Sequence, residues 1–139
     1  MQLTRHTDYA LRLLMYLTDL RTQRTSIAEV AHAQMISRTH LMKIANALTR
    51  RGFIEAVRGR SGGIKLARPP EEINLGAVVR ATEPGCGLVD CTGCRLLNRC
   101  NLPGIFDRAQ NAFMAELDRY SLADLLREQR GGAPLEDAA

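Results

Sequence analysis

SIAEVAHAQMISRTHLMKIANALTRRG, residues 26–52, is the stretch on which the fold turns. Ser26 followed three residues later by Glu29 is a capping box. The serine hydroxyl accepts a first-turn amide while the carboxylate returns to the serine amide, which opens a short helix through about Ala33. A turn over Gln34 to Ile36 follows. Ser37 then caps a helix from Arg38 to Arg51, with Leu41, Ile44, Ala45 and Leu48 on one face and Arg38, Thr39, His40, Lys43 and Asn46 mostly off it. Gly52 supplies the left-handed stop. Two short helices joined by a tight turn form a helix-turn-helix, and the second is the expected recognition helix.

The flanks extend this pattern. Phe53 to Val57 and Ile64 to Ala67 are predicted strands around Arg58-Gly-Arg-Ser-Gly-Gly63, a hairpin with a basic, glycine-rich tip. Placed directly behind a helix-turn-helix it is a wing, whose glycines let the backbone follow a groove while Arg58, Arg60 and Lys65 reach phosphates or a narrow minor groove. Upstream, Asp8 to Arg21 carries Tyr9, Leu13, Leu17 and Leu20 at helical spacing with Leu14 beside them, which predicts an amphipathic helix with Asp8 at its N-terminal end. Downstream, Pro69-Pro70 ends the wing, Asn74 caps a helix over Leu75 to Thr82, and Glu83-Pro84-Gly85 terminates it. The predicted fold is mainly α with a small β-hairpin wing.

Charge separates along the chain. Residues 1–80 hold 13 Arg and Lys against 6 Asp and Glu, whereas residues 81–139 hold 6 against 9, within a net charge of +4. The basic portion is therefore the polyanion-binding portion, with an affinity that weakens as salt rises. The start of the sequence has no apolar signal region, and no stretch approaches the roughly 18 apolar residues of a membrane span, so the expected location is the cytoplasm without membrane association.

Four cysteines, Cys86, Cys91, Cys94 and Cys100, follow within fifteen residues, spaced C-x4-C-x2-C-x5-C. A short segment containing Gly85, Gly87 and Gly93 has no core in which to bury thiols, so a shared metal centre is the expected partner. In a reducing compartment such a set binds metal or senses redox state more often than it forms disulfides. Structural zinc and an iron-sulfur cluster both satisfy the spacing. No nucleotide-binding glycine motif and no nucleophile with a partner base is evident, which argues against an enzyme. His6 and His32 are read as surface or packing residues.

Beyond the cysteines, a longer helix starts near Asn101 with Pro103 in its first turn. Phe106, Ala109, Phe113, Leu117 and Tyr120 step along one face. In so small a chain that stripe is expected to pair with the same helix of a second copy, since helix-turn-helix proteins usually read two half-sites as dimers. Ser121-Leu-Ala-Asp124 starts a final helical turn, and the chain from about Arg130 is polar and Gly/Pro-bearing, an expected disordered tail. The expected organisation is a winged helix-turn-helix over 1–83, a cysteine loop over 84–100, a dimerisation helix and final turn over 101–127, and a tail over 128–139.

Several of these segments resemble the iron-sulfur winged-helix repressors, the family that includes NsrR and IscR. The resemblance lies in the opening through Thr7-Asp-Tyr-Ala-Leu-Arg12, the wing Val57-Arg-Gly-Arg-Ser-Gly-Gly-Ile64, the cysteine loop, and the ending Leu117-Asp-Arg-Tyr-Ser-Leu-Ala-Asp124. It is nearest to the nitric-oxide-sensing branch. It implies a homodimer that binds palindromic double-stranded operator DNA while its cluster is intact and releases it when nitric oxide destroys the cluster. It implies three thiolate ligands, of which Cys94 and Cys100 keep the family's separation, with four irons favoured over two ([4Fe-4S] over [2Fe-2S]). The spacing of Cys91 from Cys94 is shorter than the family's, so either Cys91 is the first ligand in a tighter loop or Cys86 takes its place; Val89-Asp-Cys91 matches the family's surroundings for the first cysteine. The same resemblance assigns the fourth ligand to an aspartate of the partner subunit, which corresponds to Asp8, with Cys86 as the rival. Ser37, Arg38, Thr39 and His40 are then expected at base edges or flanking phosphates, Lys43 at the backbone, and Arg58, Arg60 and Ser61 in the minor groove. An iron- or cluster-level sensor of the same fold is the competing reading.

Overall fold

Thr4, and not Asp8, begins the first helix. In the computed structural model, which describes residues 2–20, 23–85, 87–96 and 98–129, the Thr4 hydroxyl accepts the Thr7 amide at 3.3 Å and α1 runs Arg5–Asp19. A threonine cap satisfies a first-turn donor that a start at Asp8 would leave to Asp8's own side chain. Asp8 instead occupies the first turn, where the positive end of the helix still favours its charge.

The helix-turn-helix follows its caps. Ser26 and Glu29 form the complete capping box at the start of α2 (Ile27–Gln34), and Ser37 caps α3 (Arg38–Arg50). Between them Met35 takes the left-handed conformation at φ 54°, a position where glycine or asparagine is more usual. Leu41, Ile44, Ala45 and Leu48 are the buried residues of α3. They meet Leu13, Leu14 and Leu17 of α1, Val30 and Ala31 of α2, and Phe53, Ile54 and Ile64 around the wing in one continuous core. Each fully buried aliphatic side chain contributes about 1.5–3 kcal/mol.

Gly52, at φ 77°, turns the chain into β1 (Ile54–Val57), which pairs antiparallel with β2 (Gly63–Leu66) in the register Ile54 with Leu66 and Glu55 with Lys65. Thr25 adds a single bridge to Ile64 on the other edge, with amide–carbonyl bonds of 3.1 and 2.8 Å. That approach needs Gly63, since a Cβ there would lie 2.7 Å from the Thr25 carbonyl oxygen.

A 3₁₀ turn over Pro70–Glu72 leads to α4 (Leu75–Thr82), capped by the Asn74 side chain on the Ala77 amide at 2.9 Å. The cysteine loop then leads to α5 (Leu102–Leu117) and α6 (Leu122–Gln129). α6 is more than the final turn expected from Ser121, and it ends beyond residue 127. Ser121 donates its amide and hydroxyl to Asp124 at 2.7 and 2.9 Å, and Leu122 is buried in the core beside α1. The chain therefore leaves the body at the cysteine loop and returns to it at Ser121. No residue of α5 is buried, and Ile105 and Phe113 are exposed. Among the described residues no helix is long and apolar enough to cross a membrane. The expected tail from Arg130 onward lies outside the described residues.

Candidate nucleic-acid interface and cysteine loop

The exposed ends of α3 and the wing present most of the basic side chains expected there. Ser37, Arg38, Thr39 and Lys43 are exposed, as are Arg58, Arg60 and Ser61 at the hairpin tip. His40 departs from this pattern. It is half-buried, and its ring meets Tyr9 of α1 edge-on, with centroids 5.2 Å apart and planes at 70°. Lys65 lies opposite Glu55 across the hairpin, 3.8 Å from its carboxylate, so it is partly neutralised and less available to a phosphate than Arg58 or Arg60. Arg24, which sequence patterning did not single out, donates to the Ser61 carbonyl at 3.3 Å and braces the wing tip against the segment before α2.

The cysteine loop is a chain of tight turns. Asp90 accepts the Thr92 amide at 2.9 Å, an Asx turn. That bond, helped by the Thr92 side chain, holds the Asp90 carboxyl below its ordinary value. The Cys94 amide bonds to the Cys91 carbonyl at 3.1 Å, with Gly93 between them at φ 72°. Cys100 stands just before Asn101, the cap of α5, and its sulfur accepts the Leu102 amide at 3.4 Å. Cys91, Cys94 and Cys100 are free thiols, Cys91 half-buried and the other two exposed. Cys86 lies outside the described residues. Among the described residues no three His, Cys, Asp or Glu side chains converge as a metal cage, so the chain alone does not bring the three thiols together, nor Asp8 to them. As a donor set they nonetheless suit a soft metal centre: three unpaired thiols on one segment, none committed to a core or to a disulfide. Asp8, on α1, is held by Arg12, with Nη2 3.0 Å from Oδ2 and Nε 3.1 Å from Oδ1.

Two seams join this loop and α5 to the body. At the first, Glu83, just before the loop, accepts the Thr4 amide at 2.7 Å and the Thr4 hydroxyl at 3.1 Å through one carboxylate oxygen. Partial burial pushes the Glu83 carboxyl up, but the hydrogen bonds from Thr4 and Thr7, with the charge of His6, outweigh it and hold the group below its ordinary 4.5. The root of the cysteine loop is thus fastened to the start of α1. At the second seam, Arg80 of α4 forms a two-pronged ion pair with Asp118 at the end of α5, both contacts 2.6 Å. The Arg80 hydrogen bond holds the Asp118 carboxyl below its ordinary value. Asn74 donates to the Asp118 carbonyl at 2.7 Å. Gly76 leaves room for this junction, since a methyl group there would overlap the Asp118 carboxylate. Neither seam is a local pattern, and both escaped the sequence reading.

Several solved structures share the fold. T. potens IscR superposes with a TM-score of 0.76 at 22% identity, covering 93% of this chain and 88% of that one. A transcriptional-regulator chain from Listeria innocua gives 0.79 at 25%, covering 100% and 94%. CymR, the global cysteine regulator of B. subtilis, gives 0.69 at 23%, covering 90% and 95%. Mostly helical with a two-stranded hairpin, the fold is that of winged-helix regulators, which are transcription factors and not enzymes. With residues 3–128 matching the profile described as "Rrf2: Iron-dependent Transcriptional regulator", the chain belongs to the Rrf2 family of transcriptional regulators.

Proposed function

We propose that this regulator is an NsrR-like homodimeric repressor. It holds operator DNA while an iron-sulfur cluster, [4Fe-4S] in preference to [2Fe-2S], is bound, and releases it on exposure to nitric oxide. Cys91, Cys94 and Cys100 would hold the cluster, Asp8 of the partner subunit would supply the fourth ligand, and Cys86 is the alternative thiolate. The bound cluster supplies a nitric-oxide-reactive iron centre, and a carboxylate ligand, harder and more labile on iron than a thiolate, leaves one iron open to a small molecule. One observation carries the reading: three free thiols lie on a segment in which no described residue is buried, fastened to α1 at Glu83 and continuous with α5 at Cys100.

The chain's own residues account for the coupling. Ser37, Arg38, Thr39, His40 and Lys43 engage one major groove, and Arg58, Arg60 and Ser61 the adjacent minor groove. α5 pairs with α5 of a second copy and sets the spacing of two such surfaces. When the thiols are drawn together, the loop between α4 and α5 is fixed at both ends, and so is the angle at which each winged body leaves the dimer. When they are released, the Glu83 and Asp118 seams alone define that angle. A hundredfold change in operator affinity requires about 2.7 kcal/mol of differential binding, within the reach of ordering one loop.

Anaerobic reconstitution followed by nitric oxide titration, with iron-sulfur absorbance and operator binding read together, tests this. The expected result is loss of operator binding in step with loss of absorbance. A colourless, zinc-containing protein would make the site structural, and DNA affinity indifferent to cluster loss would remove the switch. Loss of operator binding on iron limitation but not on nitric oxide would favour the iron- or cluster-level sensor, a reading that the family's iron-dependent character supports.

A further inference from the structure

Arg24 reaches the tip of the wing from outside the hairpin. Thr25 beside it exchanges amide–carbonyl bonds with Ile64 at 3.1 and 2.8 Å, and its hydroxyl donates to Glu29 at 2.7 Å. The backbone here is therefore fixed to β2 on one side and to the cap of α2 on the other. Gly63 permits the approach, since a Cβ there would lie 3.5 Å from the Arg24 Cβ. From this anchored start the Arg24 guanidinium donates to the Ser61 carbonyl at 3.3 Å, within a tip that the Gly62 amide closes on the Gly59 carbonyl at 2.9 Å. Arg24, Arg58 and Arg60 are all exposed, and among the described residues none of the three is paired with a carboxylate.

We propose that Arg24 is a third DNA-contacting arginine of the wing, one that binds a backbone phosphate at the rim of the groove that Arg58 and Arg60 enter. This deepens the reading of the wing as a DNA contact and rests on it. Unmatched cations gathered at one end of a hairpin repel one another in the free chain and gain from a polyanion. Arg24 commits one N–H to a neutral carbonyl, in an exposed bond of 3.3 Å, and leaves its other donors to solvent. A phosphate offers the same guanidinium shorter, charge-assisted and two-pronged bonds, so the exchange is favourable. Position selects a phosphate over a base, because Arg24 stands beside the hairpin and not on the tip that enters the groove. Such a contact fixes where the wing sits and carries no sequence preference of its own.

The probe is the duplex that the full chain, after anaerobic reconstitution, selects from a random-sequence pool. Fluorescence anisotropy across a salt series then compares wild type, Arg24→Gln, Arg24→Lys, Arg60→Ala and the double variant Arg24→Gln/Arg60→Ala. Each phosphate contact contributes about 0.9 to the slope of log affinity against log salt, so a dimer should lose about 1.8 in Arg24→Gln. Arg24→Lys keeps the charge and should keep most of the slope. The losses from Arg24→Gln and Arg60→Ala should add in the double variant, since each removes a contact of its own. A wild-type slope in Arg24→Gln, where Arg60→Ala lowers it, overturns this proposal alone and leaves the wing reading standing. So does an Arg24→Gln substitution without effect in the Arg60→Ala background, or an Arg24→Lys slope as low as that of Arg24→Gln, since Arg24 then only braces the tip through Ser61. A protein that selects no duplex, or a slope that neither Arg24→Gln nor Arg60→Ala changes, removes the wing as a DNA contact and this proposal with it.

Discussion

The winged body and the cysteine loop with α5 are built on opposite terms. In the body, Leu13, Leu14, Val30, Leu41, Ile44, Ile73 and Val78 are wholly enclosed, and most helix starts are closed by a side chain of the chain itself. From Gly87 to Leu117, no described residue is buried. One region is completed by its own sequence, and the other leaves its described residues without a core of their own. Substitutions should therefore separate the two sharply. Leu41→Ala, in the body, should cost about 2–5 kcal/mol of folding stability, because the packed walls of α1 and α2 cannot collapse onto the space it leaves. A urea unfolding curve measures this; a change under about 1 kcal/mol would mean the body is less enclosed than the structure shows.

On the other side of the comparison, Phe113→Ala should leave the folding of the body nearly untouched, since Phe113 lies on α5, which has no buried residue, and is not part of the body's core. Its effect should appear in self-association. An aromatic at the centre of an interface is commonly worth about 2 kcal/mol, which raises the dimer dissociation constant roughly 30-fold. Sedimentation across a concentration series reads the difference. Should Phe113→Ala unfold the body and leave the dimer intact, the contrast between the regions would be inverted.

The seam between α4 and α5 sharpens the contrast further. Gly76→Ala sets two effects against each other: crowding against Asp118 costs about 1–3 kcal/mol, and replacing glycine within a helix returns up to about 1 kcal/mol. The net expectation is a loss of about 1 kcal/mol, with the Arg80–Asp118 pair displaced. Thermal unfolding of Gly76→Ala alone and combined with Asp118→Ala tests it. Removing the carboxylate should turn the alanine from harmful to neutral or helpful.

The body was legible because its signals are local. Ser26 with Glu29, Ser37 and Asn74 each cap a helix within a few residues of themselves, and the apolar spacing of Leu41, Ile44, Ala45 and Leu48 names the buried face directly. What escaped reading is non-local. Thr4 begins α1 while holding Glu83, 79 positions away, so the helix start and the loop root specify each other. α6 extends past a single turn because Leu122 is buried against α1, a contact that the spacing around Ser121 does not announce. His40, beside its expected place at a base edge, packs edge-on against Tyr9, a contact that its spacing on α3 does not announce. For the candidate site, the cysteine spacing names the donors. Which of them converge is not written in that spacing, since among the described residues no three such donors come together.

The smallest expected effect lies at the other seam, where Glu83 ties the loop root to Thr4. Its carboxyl titrates below the ordinary 4.5 in the folded chain, because hydrogen bonds from Thr4 and Thr7 and the charge of His6 outweigh the cost of partial burial. A carboxyl whose folded value is depressed contributes stability that is fully present above the unfolded value and lost as pH falls through the folded one. Wild type should therefore exceed Glu83→Gln in stability at neutral pH, by less than the other substitutions change it because the group is only partly withdrawn from solvent, and the gap should close as the solution is acidified below 4.5. Urea midpoints of the two proteins at neutral and acid pH check the sign. A gap that widened on acidification would mean that burial outweighs the hydrogen bonds and favours the neutral carboxyl in the folded chain. The charged carboxylate would then not be what fastens the loop root to α1, and the contrast between the two regions would extend to the seam itself.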